Sequence, residues 1–340
     1  MRFWRHRAAG IALAGFVGFN GVPADGADPG DCRRMQEVLG ISVAEAHVTD
    51  TYLPNAESAN LVAPLFPKFI LIQDVHRHPQ VQARIAALIL QGYEHWGVRK
   101  VFLEGAFTAL DLSIFHRVPT KTQGPLMERL VKDGNLSGPE LAAVTIMERE
   151  WRNPPVSPFQ LFGMEDPKLY RQNVQAYQSV TARRDRALEE LADIRRLQMS
   201  MHLAEPNLLM DQLDRTESLI RLKLTPAEYS VYLQSKAAVP STPSLDPAIQ
   251  AAEQFYKTAQ LRSRIFLKRV MKEVPASTSP RILVVGGFHT ASMAEHLRRE
   301  GYSFVVLCPS VEEGGQDPLY EKRMQETASV LAETLKTDAR

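Results

Sequence analysis

Four apolar runs, FILIQD (69–74), VFLEG (101–105), LFGMED (161–166) and RILVVGG (281–287), close on polar residues or glycine, and together they restrict the fold more than any other feature. A continuous apolar run without alternation belongs to a strand covered on both faces, as in parallel sheets. The first run is followed by Pro79, suited to the first helical position. Val81, Ile85, Leu88 and Trp96 then keep a helical stripe up to Gly97, which suits a stop. RKVFLEG supplies a second strand, so the unit is strand, helix, strand, which implies parallel strands and a right-handed crossover. RILVVGG, a helix over Ala291 to Arg299 ending near Gly301, and YSFVVLCP repeat the unit near the other end of the chain. PFQLFGMED adds a short strand before a helix whose first turn holds Pro167. The fold class that follows is α/β, with a mostly parallel central sheet flanked by helices.

Between the two units the pattern changes. From Leu169 to about Val274 the chain reads as charged amphipathic helices, with Leu188, Leu191, Ile194, Leu197 and Met201 on one stripe. Breaks fall at Glu205-Pro206, at Thr225-Pro226, a good N-cap and first-turn pair, and in the Pro/Ser-rich stretch from Ala237 to Pro247. A helical insertion of about three helices, packed over one side of the sheet, is the natural reading. The expected organisation is a signal peptide at 1–24, an irregular N-terminal segment with one short helical stretch at 25–65, an α/β domain built from 66–168 and 278–335, and the helical insertion at 169–277.

The signal peptide rests on Arg2, Arg5 and Arg7 ahead of a small and apolar run from Ala8 to Phe19, with Val22-Pro23-Ala24 offering a cleavage site. That run is about a dozen residues, too short for a bilayer that needs about 20. A periplasmic or secreted protein is expected, not an integral membrane one once the signal is removed. Lys and Arg (40) almost cancel Asp and Glu (39), and no basic cluster is interleaved with aromatics, so nucleic acid is not an expected partner. With only Cys32 and Cys308 a disulfide framework is excluded, while a single bridge stays open; Cys308, in SFVVLCP, reads as a packing residue.

In open parallel sheets, ligands sit in the crevice beyond the carboxyl ends of the strands. The first run delivers Asp74, His76 and His78 there, the second Glu104, the third Glu165 and Asp166, and the fourth His289 after Gly286 and Gly287. Asp166 before Pro167 also suits a helix cap, as does a His next to a Pro. Glu104 closes an apolar strand, where a carboxylate needs a cation, a metal or hydrogen-bond donors. The paired glycines suggest a sharp turn or a close approach to the backbone. Histidines with carboxylates can hold a divalent metal such as Mn, Zn or Fe, or can act directly as a general base on water. Both routes give hydrolysis of a small-molecule or peptide substrate. No HExxH, GxSxG, P-loop or GxGxxG motif is present.

At these residues the chain resembles the superfamily of TIKI, TraB, ChaN and erythromycin-esterase-like proteins. IQDVHRHPQVQ is similar to the ChaN-like segment of Gly-Glu-x-His followed by Asn-Pro, with His76 and Pro79 in the His and Pro places and Gln73-Asp74 where that branch has Gly-Glu. Glu104 resembles the glutamate that ends the family's second strand. Gly286, Gly287, Phe288 and His289 resemble its late Gly-x-x-His, and LFGMED the Gly-x-Asp strand end of the esterase-like members. The resemblance covers about residues 66 to 170 and 278 to 309. It implies His76, Glu104, Asp166 and His289 as catalytic residues, with Gly286 and Gly287 in support; by proximity alone, Asp74 and His78 join His76, Glu104 and His289 as candidate metal or haem ligands, and Glu165 is a further supporting candidate. It also implies three activities to choose among: a metal-dependent protease, a metal-free esterase, or a haem-binding protein without a reaction. A fourth reading, a scaffold with a vestigial site, predicts that the polar segments do not meet.

Overall fold

The computed structural model describes residues 28–54, 66–75, 78–200, 206–235, 240–272 and 279–311. Its centre is a six-stranded sheet of β1 (Ala46–Tyr52), β2 (Phe69–Asp74), β3 (Lys100–Leu103), β4 (Gln160–Gly163), β5 (Arg281–Gly286) and β6 (Phe304–Pro309), in the order β1-β6-β2-β5-β3-β4. Every neighbouring pair is parallel except β1 with β6, which is antiparallel at the edge.

The crossovers explain that order. From β2 the chain passes through α2 (Pro79–His95) to β3, stepping over β5; from β5 it passes through α10 (Gly287–Arg299) to β6, stepping back over β2. Right-handed crossovers that run in opposite directions put their helices on opposite faces. The side chains sort accordingly. Ile70, Ile72, Val101 and Ile282 pack with Val81, Ile85 and Ile89 of α2. Phe69, Leu71, Leu283 and Val285 pack with Met293 and Leu297 of α10 and with Phe266 and Val270 of α9 (Leu245–Lys272). Both faces being covered, the strand residues are apolar without interruption. Each fully buried Leu, Ile or Phe contributes about 1.5–3 kcal/mol of transfer free energy.

The N-terminal segment, expected to be irregular with one short helical stretch, also carries a strand. Its described part holds α1 (Pro29–Leu39), capped by Asp28 and ended by Gly40 in the left-handed conformation, and then β1. β1 escaped notice because AHVTDTY is a half-polar edge strand with a register shift between Val48 and Asp50, so it lacks the apolar run of its neighbours. Between β3 and β4 lie α3 (Thr120–Lys132) and α4 (Gly138–Arg152), the latter packed on α2.

Among the described residues the helical segment holds five helices, not about three: α5 (Pro167–Thr181), α6 (Arg184–Ser200), α7 (Pro206–Ile220), α8 (Pro226–Gln234) and α9. The breaks at Pro206 and Pro226 start helices as expected, and Thr225 caps α8 in a reciprocal box with Glu228. The stripe on α6 fades along its length: Leu191 is buried, Leu188 and Ile194 partly so, and Leu197 exposed. Met201 lies outside the described residues, as does the expected signal peptide. Cys32 and Cys308 are both buried and free; burial pushes the Cys308 thiol up to about 11.

Candidate functional site at the strand ends

Register brings the polar segments to one edge of the sheet. Asp74 is opposite Gly286 across β2 and β5, and Leu103, just before Glu104, is opposite both Val284 and Gly163. The loop after β3 then folds back along β4. Gly163 and Glu165 donate their amides to the Thr108 and Ala106 carbonyls, each at 2.9 Å. A Cβ at Gly163 would lie 2.1 Å from the Ala106 backbone, so only glycine admits the loop there. Gly105 has φ +80°, a left-handed value natural to glycine, and its amide donates to Glu165 Oε1 at 3.2 Å.

The two glutamates meet on an arginine that sequence reasoning missed. Arg262 of α9 donates from Nη2 to Glu104 Oε1 at 2.9 Å and to Glu165 Oε1, from Nε to Glu165 Oε2 at 3.2 Å, and from Nη1 to Asn173 Oδ1 at 2.8 Å. The side chains of Arg262, Glu104 and Glu165 are 0% exposed. Burial works against the guanidinium charge, but Glu165 and Glu104 outweigh it and hold the Arg262 pKa above its usual value. The rings of Tyr170 and Phe266 flank the cation, their centroids 5.5 and 5.4 Å away. Asn173 is itself held by a bond to the Phe255 carbonyl.

Glu104 Oε2 accepts the amide of Gly286 at 2.8 Å. That amide stands at the N-cap of α10, where the helix dipole favours a carboxylate. Here is the close approach to the paired glycines: a carboxylate comes to the backbone. A left-handed turn is not involved, since Gly286 has φ −64° and α10 begins at Gly287, earlier than the Ala291 expected from the pattern.

His289, in the first turn of α10, is also 0% exposed. Its Nδ1 lies 2.8 Å from Ser263 Oγ, and its Nε2 lies 3.4 Å from Glu104 Oε1 without hydrogen-bond alignment. Ser263 is within reach of the Ala259 carbonyl at 3.2 Å as well, and one hydroxyl proton cannot serve both neighbours. Whichever it serves, a bare Nε2 lone pair would repel the carboxylate, so the favourable arrangement has the proton on Nε2, facing Glu104. Serine, histidine and glutamate thus stand in the order of a nucleophile, a base and an orienting group. Ser263 is 1% exposed in the middle of α9, its Oγ between the Ala259 carbonyl and His289 Nδ1, a place suited to passing a proton and not to attacking a carbonyl.

The other expected residues take part in helix caps and side-chain hydrogen bonds near the strand ends. Asp166 is the N-cap of α5 and accepts the Lys168 and Leu169 amides, each at 3.0 Å. His78 caps α2, its Nδ1 accepting from Val81 at 3.4 Å. Asp74 accepts from Gln82 Nε2 at 2.6 Å, and Gln82 Oε1 holds the Gly138 amide at the start of α4. His76 lies outside the described residues.

Among the described residues no group of three His, Cys, Asp or Glu side chains is placed to hold a metal ion. Glu104 and Glu165 already receive a cation from Arg262, and Glu104 Oε2 is taken by Gly286. A divalent ion there would sit against the guanidinium, so these residues do not fit one. Haem does not fit His289 either, since a fully buried imidazole presents no face to iron. No helix among the described residues is long and apolar enough to cross a membrane. Comparison with protein-family models, curated proteins and solved structures finds no match to this chain.

Proposed function

We propose that the chain is an exported hydrolase in which His289 and Glu104 activate water at the carboxyl ends of the parallel strands, with no metal in the step. The observation that carries this reading is the buried pair itself. Among the described residues His289 Nε2 has no hydrogen-bond partner, and Glu104 Oε1 is 3.4 Å from it. With Nε2–H facing Glu104, Nδ1 is the basic atom of the imidazole: it takes a proton from water through Ser263 Oγ, 2.8 Å away, and returns it the same way to the leaving group. Arg262 and the Gly286 amide hold the two oxygens of Glu104 in place, and Glu165 takes further donors of the same guanidinium. A substrate would enter over the part-exposed Val75, Ala106, Phe107 and Gly287, which follow the strand ends. The N-terminal signal pattern supports export.

Burial of the whole cluster favours a second reading, in which it ties α9 to the sheet and no reaction occurs. One experiment separates them. The full chain is screened against ester, phosphoester and peptide panels, and any activity is remeasured in Glu104→Gln and in His289→Asn, which keeps a polar partner for Ser263 but removes Nε2. The hydrolase reading expects kcat to fall about 100-fold or more in both folded variants, as for loss of an acid–base group. Full activity in both would leave only the tie.

A further inference from the structure

The outer face of α9 carries a charge pattern that the strand-end cluster does not use. From Gln254 to Lys272 the helix holds six cations, Lys257, Arg262, Arg264, Lys268, Arg269 and Lys272, and no acid, in a chain whose 40 Lys and Arg and 39 Asp and Glu almost cancel. Two of the six are engaged inside the protein: Arg262 with Glu104 and Glu165, and Arg269 with the Phe107 and Glu165 carbonyls. The other four, Lys257, Arg264, Lys268 and Lys272, are exposed, and none forms an ion pair among the described residues. Leu261, 38% exposed, stands among them. At about 100° per residue these positions fall within an arc of about 80° and form a straight row about 22 Å long. Ile265 and Met271, both part-exposed, border the row.

The neighbouring helices leave this positive field in place. α5, packed along α9, has no acid, and its Lys168 and Arg171 are exposed. α10 has one exposed acid, Glu295, against exposed Arg299. The acid-bearing helices α6 and α7 pack at the other end of α9, on Leu245 and Ala248. A row of one sign calls for an extended anionic partner. It offers no exposed aromatic ring on which a nucleic-acid base could stack. Long basic side chains around an exposed leucine, with part-exposed isoleucine and methionine beside them, are instead the equipment of a helix that lies on lipid: the cations meet headgroups and the apolar groups reach the acyl boundary.

We propose that α9 seats this protein on an anionic lipid surface, with Lys257, Arg264, Lys268 and Lys272 over the headgroups and Leu261 between them. The inner face of the same helix holds Arg262 and Ser263, so docking brings the strand-end cluster to about one helix diameter, about 10 Å, from the membrane. Vesicle co-sedimentation of the full chain tests this. The chain is expected to bind mixed phosphatidylglycerol and phosphatidylcholine vesicles, and not phosphatidylcholine alone, at about 0.1 M salt, where the Debye length is about 10 Å. It is expected to release them at about 1 M, where that length is about 3 Å. Each of Lys257→Gln, Arg264→Gln, Lys268→Gln and Lys272→Gln should weaken binding about fivefold, and the four together at least about a hundredfold. Leu261→Ser should weaken it about threefold or more with the charge unchanged, an effect that a purely ionic partner would not give. All five side chains are exposed, so the variants should keep the parent circular dichroism spectrum. The proposal is overturned when anionic vesicles bind no better than neutral ones, or when poly-L-glutamate or a DNA oligonucleotide binds more tightly than the vesicles. It is overturned equally when the quadruple variant binds like the parent, as it would if Arg2, Arg5 and Arg7 held the vesicle. The hydrolase reading is untouched by any of these results.

Discussion

The strand-end cluster and the helical cleft gather similar residues and dispose of their charges in opposite ways. At the strand ends two glutamates and an arginine are fully buried, and the guanidinium meets Glu104, Glu165 and Asn173. In the cleft between α7, α8 and α9, Arg215 forms no ion pair among the described residues, its Nη1 reaching Ser235 Oγ at 3.3 Å, and Gln212 Oε1 is buried with no hydrogen-bond partner among them. A buried charge network has to be complete, because each missing partner leaves a desolvated charge behind. A cleft that meets solvent can leave such groups to water at little cost. Polar side chains therefore do not define a site by their presence; what distinguishes the two regions is whether they are satisfied.

The largest effect expected from breaking this contrast is at Arg262. Arg262→Met should destabilise the chain by about 3–5 kcal/mol, because it strands two buried carboxylates. Urea unfolding of the single variant and of the triple variant with Glu104→Gln and Glu165→Gln checks it; the triple should recover part of the loss, and a triple no better than the single contradicts the charge account. Next is Gly163→Ala, whose methyl would strike the Ala106 backbone; a loss of about 1–3 kcal/mol is expected from such overpacking, with any hydrolase activity falling as Glu165 and Glu104 shift. In the cleft, Tyr232→Phe removes a single bond to Glu253 and should cost about 1 kcal/mol.

Asp50 sharpens the comparison, being a buried carboxylate with one guanidinium instead of a network. Burial raises its pKa, and Arg298, bonded at 2.5 Å, lowers it only in part. A carboxyl whose folded pKa lies above its free value of 3.8 stabilises the fold fully below that value and loses the contribution as pH rises through the folded pKa. Thermal melts from acid to neutral pH should therefore show Asp50→Asn gaining on the parent as pH rises; the opposite trend would mean that Arg298 dominates. At the small end, Arg152→Ala breaks an exposed pair with Glu148 and should change stability by no more than about 0.5 kcal/mol.

Much of the sheet could be read from the chain because strands buried on both faces have little choice of side chain. β2, β4, β5 and β6 lie where their apolar runs are, and Glu104 and His289 were singled out because each interrupts or closes such a run. The edge strand β1 could not be read in this way, since one open side tolerates polar residues. Arg262, Ser263 and Asn173 were hidden among the many charges of the helical segment. A signal was nevertheless there: on α9 the buried stripe runs Ala252, Phe255, Tyr256, Ala259, then Arg262 and Ser263, then Phe266 and Val270. An arginine in phase with an apolar stripe must be paired inside the protein. Asp166 and His78 could be read either way, and helix capping accounts for both.

The arginine that joins the two glutamates also sets an order of events in time. Arg262 is 158 residues from Glu104 and 97 from Glu165, and Glu104 is 182 residues from the Gly286 amide it accepts. Contacts between such distant segments close large loops and form late. Until α9 is seated, the strand-end carboxylates face solvent and cost nothing; once it docks, they are sealed together. Removing the guanidinium should then hasten unfolding far more than it slows folding, so that the cluster acts as a latch on the finished sheet.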